Sequence, residues 1–383
     1  MKYYRLTAKL LAPLVIQQSR QSSDSSALPY LPGSTLRGTL AARYLNSGRS
    51  PEDEEFRFLF LNNPVCFPNL FPSDENGTVI AQFLPLTAFS CKRNPGFKDK
   101  HGVIDMLGVK AAVRIDPKLK NKNSCLECGQ AMKAFTGFWN GNCQNPCKFS
   151  PAMIYQRHTG IDRDTGTIAP SIFFMTQAIA DFQKNVQNND YYQQHLTCGI
   201  FINDKQHEIL SSLMTDSLFA GGDRTRGFGE IELSLSDTEL PFPVFNIIDW
   251  NKKFRKKINS LVEKELDSGT YFSIKLESHA ILVDSFLRPS YDMELSFPDI
   301  NPVLKIAKSE IIKGWQSSWG LPKPDDMGLA MGSVYLFKYR GNDLEGLESY
   351  LQKIIKNGIG LRCEEGFGRI SVCEPIHTID EVI

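Results

Sequence analysis

Residues 196–235, LTCGIFINDKQHEILSSLMTDSLFAGGDRTRGFGEIELSL, and residues 331–372, MGSVYLFKYRGNDLEGLESYLQKIIKNGIGLRCEEGFGRISV, read in one order: strand, helix, glycine loop, strand. In the second copy Asn342 can cap the helix, Glu345 takes the capping-box position, and Leu344, Leu347, Leu351, Ile354 and Ile355 fall on one face. Asn357-Gly358 supplies its stop. The first copy offers Asp204 as cap and a shorter apolar face of Ile209, Leu210 and Leu213. Each helix leads to Gly-Phe-Gly and an alternating strand: Gly227-Phe228-Gly229 before Ile231 and Leu233, and Gly366-Phe367-Gly368 before Ile370 and Val372. One such triplet is a tight turn, since glycine tolerates positive φ. Its recurrence after the same elements is a repeat. The expected fold class is therefore α+β, in two units whose sheets carry helices on one face.

Working outward, the first unit is expected over 1–239, with Asn-, Gly-, Pro- and Lys-rich insertions at 46–72 and 91–151. A linker over 240–267 opens with Pro241 and Pro243 and holds a charged, solvent-facing helix within Asp249 to Glu265; the second unit runs over 268–383. At the amino end, Tyr4, Leu6, Ala8 and Leu10 alternate as a first strand, and Pro13 with no small-residue cleavage site after it argues against a signal peptide. No run approaches the roughly 20 apolar residues needed to span a bilayer.

The 383 residues are 42% hydrophobic and 22% charged, the composition of a folded chain of two or more domains. Lys plus Arg and Asp plus Glu both total 43, so the formal charge is zero. That balance excludes the bulk attraction of a generally basic nucleic-acid binder. Any polyanion contact must be local.

Cys125-x2-Cys128 and Cys143-x3-Cys147 have close to the two-knuckle spacing by which four thiolates enclose one tetrahedral zinc, within a segment expected at 121–150. Four cysteines leave no open position for water, so the Zn2+ would be structural. Cys66, Cys91, Cys198, Cys363 and Cys373 read as packing residues. Metal-type cysteine usage places the chain in a reducing cytoplasm.

Three further stretches could carry chemistry. Leu31 to Gly38, LPGSTLRG, enters a helix that Ser34 or Thr35 can cap; its free N–H groups and Arg37 make an anion site, and the same residues also make an ordinary capped helix. Gly221 to Gly229, GGDRTRGFG, combines close-approach glycines with Arg224, Thr225 and Arg226, and Phe228 is expected to stack a base. The alternative is a solvated turn with Phe228 in the core. Tyr155 to Gly166 holds His158, Asp162 and Arg163 between strands. His158, and Asp24 in a Ser-rich loop, are the two catalytic candidates, but spacing identifies no general-acid partner for either, so binding is favoured over cleavage.

Together, the opening strand followed by LPGSTLRG, the HTGIDRDTGT segment and the two glycine loops resemble the RAMP superfamily of CRISPR-associated RNA-binding proteins. The resemblance implies two ferredoxin-like, RRM-type domains. Length and motif combination are most similar to the large two-domain subunit of type III-D effector complexes, which implies a noncatalytic subunit holding the 5′ tag of the guide RNA. Its implied partners are guide RNA, target RNA through the complex, other RAMP subunits and the large signalling subunit, with no membrane. By the same resemblance Gly33, Ser34, Arg37, His158, Asp162, Arg163 and the loop Gly221, Gly222, Arg224, Thr225, Arg226, Gly227, Phe228 and Gly229 face RNA. Glu364 and Glu365 make the second loop a poorer phosphate site. The alternative within the resemblance is an endoribonuclease that processes guide precursor through His158 or cuts target RNA through Asp24.

Overall fold

The computed structural model describes every residue except 18–26, 63, 120–123, 186–188, 238–244, 263–265, 267, 317–318 and 380–381, and leaves aside the side chains of 168–173. Asp24 thus lies outside the described residues. The chain is α+β and divides into two compact units: residues 1–81, 149–239 and 313–325 form one, and residues 82–148, 240–312 and 326–383 the other.

In the first unit the elements run β1 (Lys2–Leu10), α1 (Gly33–Asn46), β2 (Phe71–Pro72), β3 (Met153–Ile161), β4 (Ile168–Ile179), β5 (His195–Ile202), α2 (Asp204–Leu213), β6 (Leu218–Phe219) and β7 (Glu230–Asp237). The antiparallel main sheet has the order β6-β7-β1-β5-β2, and Leu6 in its middle strand lies opposite both Cys198 and Leu235. The alternation of Tyr4, Leu6, Ala8 and Leu10 is what one buried sheet face demands. Leu36, Leu40 and Tyr44 of α1 and Leu210 of α2 cover it. Each fully buried leucine contributes about 1.5–3 kcal/mol relative to exposure. Within 46–72, the short helix Glu54–Phe60 buries Leu59 and Phe60 in the same core, so this stretch is part of the unit and not an appendage.

The second unit contains α3 (Ile247–Asn259), β8 (Thr270–Leu276), β9 (Ile300–Ile306), β10 (Val334–Tyr339), α4 (Leu344–Asn357) and β11 (Ile370–Val372), with sheet order β9-β10-β8-β11. The strands β7-β1-β5-β2 and β11-β8-β10-β9 therefore follow one pattern, with α2 and α4 in equivalent places. The sequence repeat is a structural repeat.

Several expectations are corrected. The α2 cap is Asn203, whose side chain accepts from the Gln206 N–H at 2.8 Å while Gln206 returns the bond, and the α4 cap is Asp343, which accepts from Gly346. The helix within the expected linker is not merely solvent-facing: Ile247, Trp250, Phe254 and Ile258 are buried, and the Trp250 indole donates to the Glu374 carbonyl at 2.9 Å. Residues 82–148, expected as part of the first unit, pack within the second.

Buried polar contacts explain that placement. The fully buried Lys275 ammonium donates to the Phe83 carbonyl at 2.7 Å and is paired with Glu277 and Glu374 at 3.0 and 2.6 Å. Asp105 lies 3.1 Å from His377. Burial pushes the Asp105 carboxyl up, but His377 and Lys257 outweigh it and hold the group below its ordinary range. Ile383 and Val103 exchange backbone bonds at 2.8 and 2.9 Å. Apart from Glu277 beside Lys275, these partners are distant in sequence, which is why the packing was illegible there.

Candidate nucleic-acid interface

The first glycine loop is shaped by its own strand contacts. Gly221 and Gly229 have φ of +77° and +85°, and a Cβ at either would lie 2.3 Å from the Val15 carbonyl oxygen or 2.1 Å from that of Ala220. Any side chain there collides with backbone. The Gly222 N–H donates to Val15, a short 3-10 turn spans Arg224–Arg226, and Asp223 sits at φ +54°. The turn leaves Arg224, Thr225, Arg226 and Gly227 exposed.

Phe228 does not stack a base. It is 2% exposed and packs with Val15 and Ala178 in the stretch just before β7. The exposed ring beside the loop is Phe174. On β4 it stands directly opposite His158 on β3, with the two rings stacked 4.6 Å apart at 16°, and the Arg226 guanidinium lies over the Phe174 ring at 5.3 Å from its centroid. Arg226, Phe174 and His158 thus join the glycine loop to the β3–β4 hairpin in one cation–aromatic column. Phe174 stays 41% exposed. His158 stacks on the Phe174 ring and Arg226 lies over it, so what the column presents to solvent is a cation beside a partly exposed ring. Sequence reasoning missed Phe174, since only strand register sets it against His158.

The other candidates are placed as follows. Asp162 shapes the hairpin tip: its carboxylate accepts from the Thr165 and Asp164 N–H groups at 2.9 Å, and those bonds hold it below the ordinary carboxylate range. Arg163 is exposed at that tip. At the α1 start no side chain of Ser34 or Thr35 caps the helix; the buried Gly33 N–H donates to the Asn69 side chain at 2.9 Å, and Arg37 donates to the Phe60 carbonyl at 2.8 Å. Gly33 and Arg37 are therefore spent on internal contacts, unlike the exposed arginines of the loop.

In residues 82–148 the cysteines are distributed differently from the expected four-cysteine site. Cys125 and Cys128 converge with Cys91 and His101, all four ligand atoms lying within 4.8 Å of one another. The Asn94 and Arg93 N–H groups lower the Cys91 thiol to about 6. Cys91 is thus a cluster member and not only a packing residue. Cys143 instead packs against Leu84, Trp139 and Ile376, where burial pushes its thiol up to about 12. Cys147 is exposed, with its thiol directed to the Lys148 carbonyl.

A family model described as the RAMP superfamily matches residues 7–232. Curated protein sequences give no match. Among solved structures, a chain of the cryo-EM structure of type III-B Cmr-beta bound to cognate target RNA and AMPPnP is 13% identical, covering 91% of this chain and 93% of that one at a TM-score of 0.40. Oligomeric Cmr4 from Pyrococcus furiosus is also 13% identical, covering 62% of this chain and 99% of that one at a TM-score of 0.26. These are weak global likenesses and assign no residue a role.

Proposed function

Because the chain belongs to the RAMP superfamily, we propose that it is a noncatalytic RNA-binding subunit of a type III CRISPR effector complex, of the III-D kind, which holds the 5′ tag of the guide and docks the large signalling subunit. Guide RNA and neighbouring RAMP subunits are its partners in this reading, and target RNA is met through the complex. Two ferredoxin-like halves are supported by the shared order β7-β1-β5-β2 and β11-β8-β10-β9. A structural zinc in residues 82–148 belongs to the same proposal. Among the described residues no helix is long and apolar enough to cross a membrane.

The observation that carries the reading is the column of Arg226, Phe174 and His158. Exposed arginines supply local positive charge that the neutral chain lacks overall, and a base that displaced Arg226 or His158 from the Phe174 ring would gain a stacking face. Stacking on an aromatic ring is worth about 1–3 kcal/mol per base. Full-length protein should therefore bind single-stranded guide RNA, and Phe174→Ala should weaken it on the order of tenfold by anisotropy. The double change Arg224→Glu with Arg226→Glu should weaken it further and flatten the salt dependence, since each lost phosphate contact removes about one unit of slope. Unchanged affinity and slope in a folded double variant would overturn the reading.

A further inference from the structure

The fold of residues 82–148 carries an inference that rests on the structural-zinc reading and changes who holds the ion. We propose that the metal centre is a three-cysteine, one-histidine site made by Cys91, His101, Cys125 and Cys128, and that Cys143 and Cys147 are not ligands. The Cys91 and Cys128 sulfurs are 3.6 Å apart, and the Cys125 sulfur is 3.5 Å from His101 Nδ1. Around a tetrahedral zinc with Zn–S of about 2.3 Å and Zn–N of about 2.0 Å, two sulfurs lie about 3.8 Å apart and a sulfur–nitrogen pair about 3.5 Å. The spacing is that of a shared ion. It is far longer than the about 2.05 Å of a disulfide.

Each ligand is positioned by a separate feature. Cys91 ends the strand Ala88–Cys91, which pairs with Met132–Ala134 so that Cys91 faces Met132. Cys125 and Cys128 occupy a tight knuckle: the Cys125 N–H donates to Gln130 at 2.7 Å, the Gly129 N–H donates back to Cys125 at 2.9 Å, and Gly129 turns at φ +66°. His101 comes from the loop between Ala88–Cys91 and Val103–Asp105. Phe89, Ile104 and Met132 pack around the thiols and dry the site. Four protein donors close the coordination sphere, so the ion has no position for substrate and its role is structural. Segments with little core of their own gain a cross-link by this means, the binding free energy being folding free energy.

The test uses the full-length protein purified without chelator. X-ray absorption at the zinc edge should return three sulfurs and one nitrogen, and elemental analysis about one zinc per chain. Cys91→Ser and His101→Ala should each lower the zinc content severalfold, whereas Cys143→Ser with Cys147→Ser should retain it. Four sulfurs in the wild-type spectrum, or zinc lost only on changing Cys143 and Cys147, would overturn this ligand set while leaving a structural zinc in place. Zinc-free protein after expression in zinc-supplemented medium, or a Cys91–Cys128 disulfide found by mass spectrometry, would remove both. The absorption measurement on wild type decides the ligands even if a variant fails to fold.

Discussion

The two glycine loops share a backbone and differ in chemistry. Gly221, Asp223, Gly227 and Gly229 have φ of +77°, +54°, +83° and +85°, and Gly360, Arg362, Gly366 and Gly368 follow with +82°, +59°, +91° and +67°. The Gly229 N–H donates to Pro13 at 2.8 Å and the Gly368 N–H to His279 at 2.7 Å. A 3-10 turn fills the same interval in each, Arg224–Arg226 in one and Cys363–Glu365 in the other. There the likeness ends. In the first loop Arg226 stays half exposed and reaches Phe174, with only a 3.3 Å contact to Asp223. In the second, Arg362 is mostly buried between Asp326 at 2.7 Å and Glu365 at 2.6 Å, and lies over the Phe367 ring at 4.7 Å. A conserved turn geometry thus serves packing in both places. Only the side chains mounted on it distinguish a loop with exposed arginines from one whose arginine is already neutralised.

The largest expected effect tests the shared half of that comparison. Gly229→Ala and Gly368→Ala would each set a Cβ 2.1 or 1.8 Å from a carbonyl oxygen, at positive φ. Left-handed backbone costs an alanine about 1–2 kcal/mol and overpacking about 1–3 kcal/mol more, so each variant should lose about 2–5 kcal/mol in denaturant unfolding. Similar losses in both loops establish a common packing role. A stable Gly229→Ala protein that only fails to bind RNA would break the comparison, because the glycine would then exist for the ligand's approach.

A smaller effect separates the arginines. Removing Arg362 leaves Asp326 and Glu365 partly buried without their cation, so Arg362→Ala should destabilise the protein by about 1–3 kcal/mol, discounted from a fully buried pair because its partners reach solvent. RNA affinity should stay within about twofold of wild type. Arg226→Ala should behave in the opposite way, nearly neutral in stability and weaker in binding. If both variants lose RNA equally, the second loop also contacts the guide and its acidic residues have been misjudged.

The repeat was legible because helix and strand periods survive without tertiary context, and two copies of Gly-Phe-Gly after the same elements fixed their order. Caps were misplaced by one residue where Asn and Asp adjoin, as at Asn203-Asp204 and Asn342-Asp343, since either side chain can accept the N–H and only the local φ and ψ choose. Local spacing found the Cys125–Cys128 knuckle but not Cys91 or His101, which reach it through strand pairing and a loop. Phe174 was missed for a related reason: which face of a strand looks inward is a matter of register, and a period of two reverses with one residue's slip.

The smallest expected effect concerns His158 and separates binding from cleavage. Its ring is stacked flat on Phe174, and its Nε2 is buried with no hydrogen-bond partner among the described residues. A general base must reach the proton it takes, within about 2.6–3.2 Å or through one water. In the binding reading the stacked ring supports its neighbour. Loss of that contact costs about 0.5–1.5 kcal/mol, so His158→Ala should weaken RNA binding by less than about tenfold. Purified wild-type protein should leave guide precursor and target RNA intact, with or without magnesium. Should wild type cut at a defined position, and His158→Ala abolish the cut while RNA binding persists, the column would be an active site and the noncatalytic reading would fall. Cleavage that survives His158→Ala and vanishes with Asp24→Ala would convict the Ser-rich loop instead. It would leave the stacked column as the surface that positions the strand.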